Sequence, residues 1–267
     1  MINQKRNYNT VFKAKIDRCN VSNLLESFRI LGKRLSFWSH GYDYIPRCMQ
    51  IFGKFDFHGR NILEIGCGKG IFCIWAAIHG AKHVVGLEPF AEGSHRFKAK
   101  ETYNNFEKIK QFLKLWQMEM LPLRLEDYRC RDNYYDLILS VNSINHLDEE
   151  SCKVLAKSQK AVESYLKIFY KIRDMMKNGG KLIIIDVSNR NFFGDHKMKN
   201  PFAKSIEWSK HQDPVLWAKL LSRCGFAKCK ISWNSSRMFR YLKIYSIPKT
   251  MSYFYDSCFR LEMTCFK

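Results

Sequence analysis

No stretch of this 267-residue chain approaches the ~18 consecutive apolar residues that a membrane helix needs. The most apolar run, Lys181 to Val187, has only the length of a strand. Met1 to Asn20 is polar and basic without an apolar centre, so it reads as neither a secretory signal nor a clean transit peptide. Paired-cysteine motifs are missing as well. The ten cysteines contain no Cys-x-x-Cys and no metal-site spacing, so no metal is expected. Several fall in expected strands or helices, where a free thiol packs as a small hydrophobe. They read as reduced thiols of a cytoplasmic protein. Acidic residues are scarce: 25 Asp and Glu face 45 Lys and Arg, a net charge of +20. The field that results would attract nucleic acid, anionic lipid head groups or phosphorylated substrates. A compositional bias toward Lys, Asn, Ile, Phe and Tyr would produce the same excess without any such partner. There is no internal repeat and no low-complexity tract.

What is present is a series of short apolar runs separated by helix-length segments. Ile62-Leu63-Glu64-Ile65 breaks into Gly66-Cys67-Gly68-Lys69-Gly70, which reads as a buried strand, a tight turn and a helix start. Glycines there admit positive φ and let a ligand approach the backbone, while the next helix points unpaired N–H groups over the turn. Val84-Val85-Gly86-Leu87-Glu88-Pro89 is a second strand ending in a carboxylate, one β-α-β step further on. Gln117–Leu121, Asp136–Val141 and Lys181–Val187 follow as strands three to five, with a long helix from Glu149 to Met176 before the fifth. Its Lys153, Lys157, Lys160, Lys167 and Lys171 form a basic stripe, either a solvated face or a contact for phosphate or an acidic partner. Asp213-Pro214 starts a helix that stops at Gly225, and Lys228–Trp233 and Phe259–Phe266 are the last two strands. Before the core, short helices are expected from Ser22 to Leu31 and from Asp43 to Phe52.

Three motifs, "LEIGCGKG", "YDLIL" with "NSINHL", and "MKNGGKLIIID", occur in this order over roughly Gly59 to Val187. Together they resemble the class I S-adenosylmethionine (SAM)-dependent methyltransferases. The resemblance implies an α/β, Rossmann-like doubly wound sheet of seven strands, mostly parallel with the last strand antiparallel. It also implies SAM as cofactor and S-adenosylhomocysteine as its product. The expected domain layout is a basic N-terminal segment with helices over residues 1–58, packing on or over the core. The methyltransferase domain then occupies 59–267, with a substrate cover at about 188–255.

The same resemblance distributes roles. Gly66, Cys67, Gly68 and Gly70 form the loop under the methionine end of SAM, and Glu64 holds that loop or faces the sulfonium side through water. Glu88 has two acceptor oxygens for the ribose hydroxyls, with Pro89 and Phe90 on the adenine side. The usual acid after strand three falls near Arg124, so the pattern departs there. Leu125 is expected to supply a backbone N–H and Glu126, or else Asp127, an acceptor for adenine, a solvated turn being the alternative. Asn142 would lie beside the methionine part. His40 and Tyr42, on an aromatic turn before the core, either reach the SAM carboxylate or pack as a turn.

His146 is the candidate general base, because imidazole titrates near neutral pH; the alternative is a packing or capping histidine. Trp208, Lys210, His211 and Asp213 fall in the cover, either gripping a polar acceptor or forming a structural loop. A Pro-Pro-aromatic motif after strand four and a Pro-Cys nucleophile are both absent, which argues against base methylation of those kinds. The expected reaction is methyl transfer to a small polar or glycan-type acceptor, with O-methylation favoured. An RNA-directed enzyme, suggested by the charge but not favoured, and a non-catalytic SAM-binding module are the alternatives. The sequence leaves the oligomeric state open.

Overall fold

The computed structural model describes residues 20–35, 37–38, 44–89, 96–204 and 206–267. Its sheet grows from the apolar runs in the order β3-β2-β1-β4-β5-β8-β6-β7. The strands are β1 Asn61–Ile65, β2 His83–Leu87, β3 Met118–Leu121, β4 Tyr135–Val141, β5 Met176–Val187, β6 Phe226–Asn234, β7 Ser246–Ile247 and β8 Cys258–Cys265. β1 to β5 run parallel, and β8 lies antiparallel between β5 and β6. All five residues of β1 are buried, as a central parallel strand covered on both faces requires.

Helices cover the two faces. One face carries α1 over 20–34, α2 Ile45–Phe52, α3 Ile71–Ile78 and α4 Arg96–Leu113. Its core takes Ile62, Leu137, Leu139, Ile183 and Ile185, with Phe28 and Ile51 from the first two helices. The other face carries α5 Glu149–Val154, α6 Gln159–Met175 and α8 Pro214–Arg223, and takes Leu63, Ile138, Leu182 and Ile184 against Tyr165, Phe169 and Trp217. The alternation along each strand assigns every residue to one face. Phe169 and Trp217 are fully buried, and truncating either to Ala would cost about 3–5 kcal/mol. Three one-turn helices, α7 Phe192–Asp195, α9 Arg237–Tyr241 and α10 Lys249–Tyr253, belong to the connections around β6 and β8.

Two expectations need correction. The sheet has eight strands rather than seven. The addition is the two-residue β7, which pairs with Trp233 and Asn234 of β6. Gln50 of α2 explains it: its amide donates to the carbonyls of Ser235 and Tyr245 and so ties the two ends of the α9 excursion side by side. The long helix expected from Glu149 to Met176 is broken. Asp148 caps α5 through the Ser151 N–H, and Ser158 starts α6 afresh by accepting the Ala161 N–H. The five-lysine stripe therefore does not lie on one helix. Lys153 belongs to α5, Lys157 to the turn, and Lys160, Lys167 and Lys171 to α6. The other strands and helices expected from the sequence agree with the observed ones within about five residues.

Candidate active site

The carboxyl ends of β1, β2, β4 and β5 meet at one edge of the sheet, where an open α/β fold leaves a crevice. The glycine loop forms its floor. Gly66 and Gly68 both hold positive φ, +70° and +54°. Gly66 is packed from above: a Cβ there would come within 2.5 Å of Ser143 Cβ. Ser143 in turn donates from Oγ to the Ile65 carbonyl at 2.6 Å and bonds Ser140 Oγ at 2.7 Å, so the loop after β4 is clamped onto the end of β1. Gly68 is different, because a Cβ there would meet nothing within 4 Å. Its open side is a cradle that a ligand can approach.

Glu88 closes the other wall. Gly68 donates its N–H to Glu88 Oε2 at 2.8 Å, which ties the end of β2 to the glycine loop and leaves Oε1 for a ligand hydroxyl. Cys67 donates its N–H to Leu87 at 2.9 Å, while its side chain turns into the core beside Gly86. Only its backbone can face a ligand. Glu64 is fully buried on the α3 face and accepts from Cys73 Sγ at 3.0 Å. Burial pushes its carboxyl up to about 8, against the smaller opposing effect of the Cys73 thiol.

Asn142 is exposed at the end of β4 in left-handed conformation, φ +52°, and donates its N–H to Ile185 at 2.8 Å. Pro89 is exposed next to Glu88. Leu125 is buried in the core and Glu126 stands at the surface, 3.4 Å from Arg124 Nη1. Their turn is pinned from α6 by Lys171, which donates to the Glu126 carbonyl at 2.8 Å. His40, Tyr42 and Phe90 lie outside the described residues.

The β5 side of the crevice is built from side chains. Asp186 follows Ile185 on the α8 face of the sheet and is fully buried. His211, three residues before α8, places Nδ1 3.0 Å from Asp186 Oδ1. Its segment is held against α5 by two bonds at one residue. Cys152 Sγ donates to Lys210 O at 3.3 Å, and Gln212 Nε2 donates to Cys152 O at 2.6 Å. Burial pushes the Cys152 thiol up to about 12, so it acts here as an uncharged donor. Asp213 then caps α8 through the Val215 N–H, as its Asp-Pro signature requires. His146 is largely exposed, with Nδ1 4.0 Å from Glu149 Oε1, and Lys210 Nζ reaches the same oxygen at 2.8 Å. The histidine expected as base and the segment bearing His211 thus share one carboxylate.

Some of the unpaired buried polar atoms among the described residues lie at this edge. Among the described residues, neither side-chain atom of buried Asn145 has a hydrogen-bond partner, and Asp186 Oδ2 has none either. Buried polar groups are rarely left so unless a ligand or water meets them. The Asp186–His211 pair was not foreseen from sequence. The available signal was a polar residue ending the apolar β5 run, followed by a histidine just before a strong helix cap.

Comparison with known proteins assigns the class. A family model described as a methyltransferase domain matches residues 37–230, and the chain belongs to that family. It is a SAM-dependent methyltransferase with SAM as cofactor and the Rossmann-like fold of that class. Two solved SAM-dependent methyltransferases share the fold. One, from Thermotoga maritima, is 19% identical with a TM-score of 0.54, over 91% of this chain and 98% of that one. The other, from Aquifex aeolicus, is 16% identical with a TM-score of 0.52, over 82% and 93%. Among curated proteins, the tRNA U34 carboxymethyltransferase of Marinobacter nauticus is 31% identical over 91 residues, 34% of this chain and 25% of that protein. Its namesake from Ruthia magnifica is 30% identical over 125 residues, 47% and 32%. The chain therefore matches only a quarter to a third of those relatives' length. Among the described residues no helix is long and apolar enough to cross a membrane.

Proposed function

We propose that this enzyme methylates a hydroxyl of a small polar or glycan-type acceptor, with His211 as the general base held by Asp186. The observation that carries the reading is the 3.0 Å contact between His211 Nδ1 and Asp186 Oδ1 at the carboxyl end of β5. An aspartate on Nδ1 fixes the tautomer that presents Nε2 as acceptor and stabilises the imidazolium that follows. Bound SAM supplies an electrophilic methyl on a sulfonium. His211 would take the proton of the acceptor hydroxyl, leaving its oxygen free to accept the methyl that bound SAM would supply. Alignment of acceptor and cofactor supplies the rest of the acceleration. His146 is the second candidate for the base in the same mouth, and its exposure and longer contact with Glu149 rank it behind His211.

Cofactor roles follow the crevice. Glu88 accepts from the ribose hydroxyls, Gly66, Gly68 and Gly70 carry the methionine end on backbone, and Asn142 lies beside it. Glu64 supports the loop from below, while Pro89 and the Leu125–Glu126 turn serve the adenine side. The segment at 188–255 acts as acceptor cover, and 1–58 as an addition to the core. The nine described cysteines are all free, which supports a reducing, cytoplasmic setting.

An RNA acceptor is the second reading, supported by the net charge of +20 and by the tRNA-directed names of the curated relatives. Incubation with tritiated SAM and fractionated cell extract decides between them. Label in a soluble small-molecule or glycan fraction is expected. Label confined to RNA replaces the first reading with the second.

A further inference from the structure

A cavity of about 440 Å³ opens on the opposite sheet face from His211, between the last turn of α2 and the strands β5, β8 and β6. Its size falls in the range of small-molecule sites. Four cationic side chains, Lys54, Lys181, Lys230 and Arg260, line it with one carboxylate, Glu262. That carboxylate is already engaged: Arg260 Nη2 lies 2.6 Å from Oε2 and Lys181 Nζ 3.4 Å from Oε1. Arg260 is 9% exposed and spends its Nε on the Ile51 carbonyl at 2.7 Å. Among the described residues no partner meets its Nη1, and the side-chain amine of neither Lys54 nor Lys230 makes a hydrogen bond or ion pair. Four cations against one engaged carboxylate leave the recess with net positive charge, which favours an anion entering it.

The donors approach from the turn after α2 and from three strands, and Ser232 and Asn234 add neutral polar groups. Convergence from several directions suits an anion with three or more acceptor oxygens better than a planar carboxylate. Phe55 and Tyr245 line the same cavity, as ring surface on which a base can stack.

We propose that this cavity binds a nucleotide unit through its phosphate. The nucleotide is either free or part of an RNA strand, and both present the same phosphate and base. The site is separate from the methyl-transfer crevice, so it stands or falls without the acceptor assignment.

Calorimetric titration of the full chain tests it, with S-adenosylhomocysteine saturating the crevice so that an adenine probe cannot enter there. The probes are ADP and a 5′-phosphorylated oligouridylate. At least one is expected to bind, and Lys54→Glu with Lys230→Glu to weaken it about tenfold or more. Both residues are exposed, so the fold should survive; unchanged affinity for S-adenosylhomocysteine reports that. Lys230→Gln alone should give a smaller loss of about threefold. Binding of ADP identifies a free nucleotide as sufficient, whereas binding of the oligomer alone identifies the strand. No binding of either probe at millimolar concentration, or equal binding by the double variant, overturns the proposal.

Discussion

The two halves of the sheet's carboxyl edge are made of different material. At β1 and β2 the wall is backbone with one carboxylate: Gly66 and Gly68 at positive φ, and the Gly68 N–H on the Glu88 side chain. At β5 it is side chain: Asp186 on His211, with the bearing segment pinned through Cys152 and Gln212. A backbone wall suits a ligand common to a whole class, because few other side chains tolerate those dihedrals. A side-chain wall can be rebuilt without changing the fold. The structural neighbours share the fold over most of their length at 16–19% identity.

The sharpest way to break the comparison is to remove one group from each half. His211→Ala should lower kcat by about 100-fold or more and leave SAM affinity unchanged, measured by single-turnover kinetics beside calorimetry. Asp186→Asn should cost about tenfold in kcat, because it loosens the imidazole's support rather than removing the imidazole. A kcat that survives His211→Ala removes the proposed base. Glu88→Ala should show the reverse pattern, a SAM affinity weakened by about ten- to hundredfold with far less change in kcat at saturation. Unchanged SAM affinity would end its ribose role.

The contrast also explains what the sequence could disclose. The glycine loop, the β1–β2 step and the α8 cap were legible because each rests on a local rule that few residue types satisfy. The Asp186–His211 contact was not, since it joins the end of a strand to an aperiodic segment 25 residues on. The break between α5 and α6 stayed hidden because Ser158 sits inside an otherwise continuous amphipathic pattern, where a serine is unremarkable until it caps. β7 is too short for any periodicity and depends on a glutamine 185 residues from the serine that it holds.

Beneath the backbone half, Glu64 offers a stability test. Its carboxyl titrates near 8 in the fold against an ordinary 4.5, because burial disfavours the charge. The native state keeps a proton that the unfolded chain gives up across that window. The stability tied to the neutral acid is therefore complete below pH 4.5 and is lost as pH rises toward 8. Between pH 6 and pH 8 the loss is about 2 kcal/mol, a Tm decrease of several degrees for a chain of this size. Glu64→Gln should flatten that decrease in a pH series of thermal melts. Parallel slopes in the two proteins would mean that Glu64 ionises in the fold much as it does in solution.

The smallest effect is expected where the two halves meet. His146 and Lys210 share Glu149, one from the loop after β4 and the other from the segment that carries His211. His146 is mostly exposed and its contact is long, so His146→Ala should lower kcat only about two- to threefold while SAM affinity holds. Lys210 retains its own bond to Glu149 and should keep the His211 segment in place. A loss as large as that of His211→Ala would move the base to His146 and place acid–base chemistry on the β4 loop, next to the backbone wall. The double variant separates these cases. Losses that multiply indicate independent roles, whereas a double variant no worse than His211→Ala means that His146 acts only through the shared carboxylate.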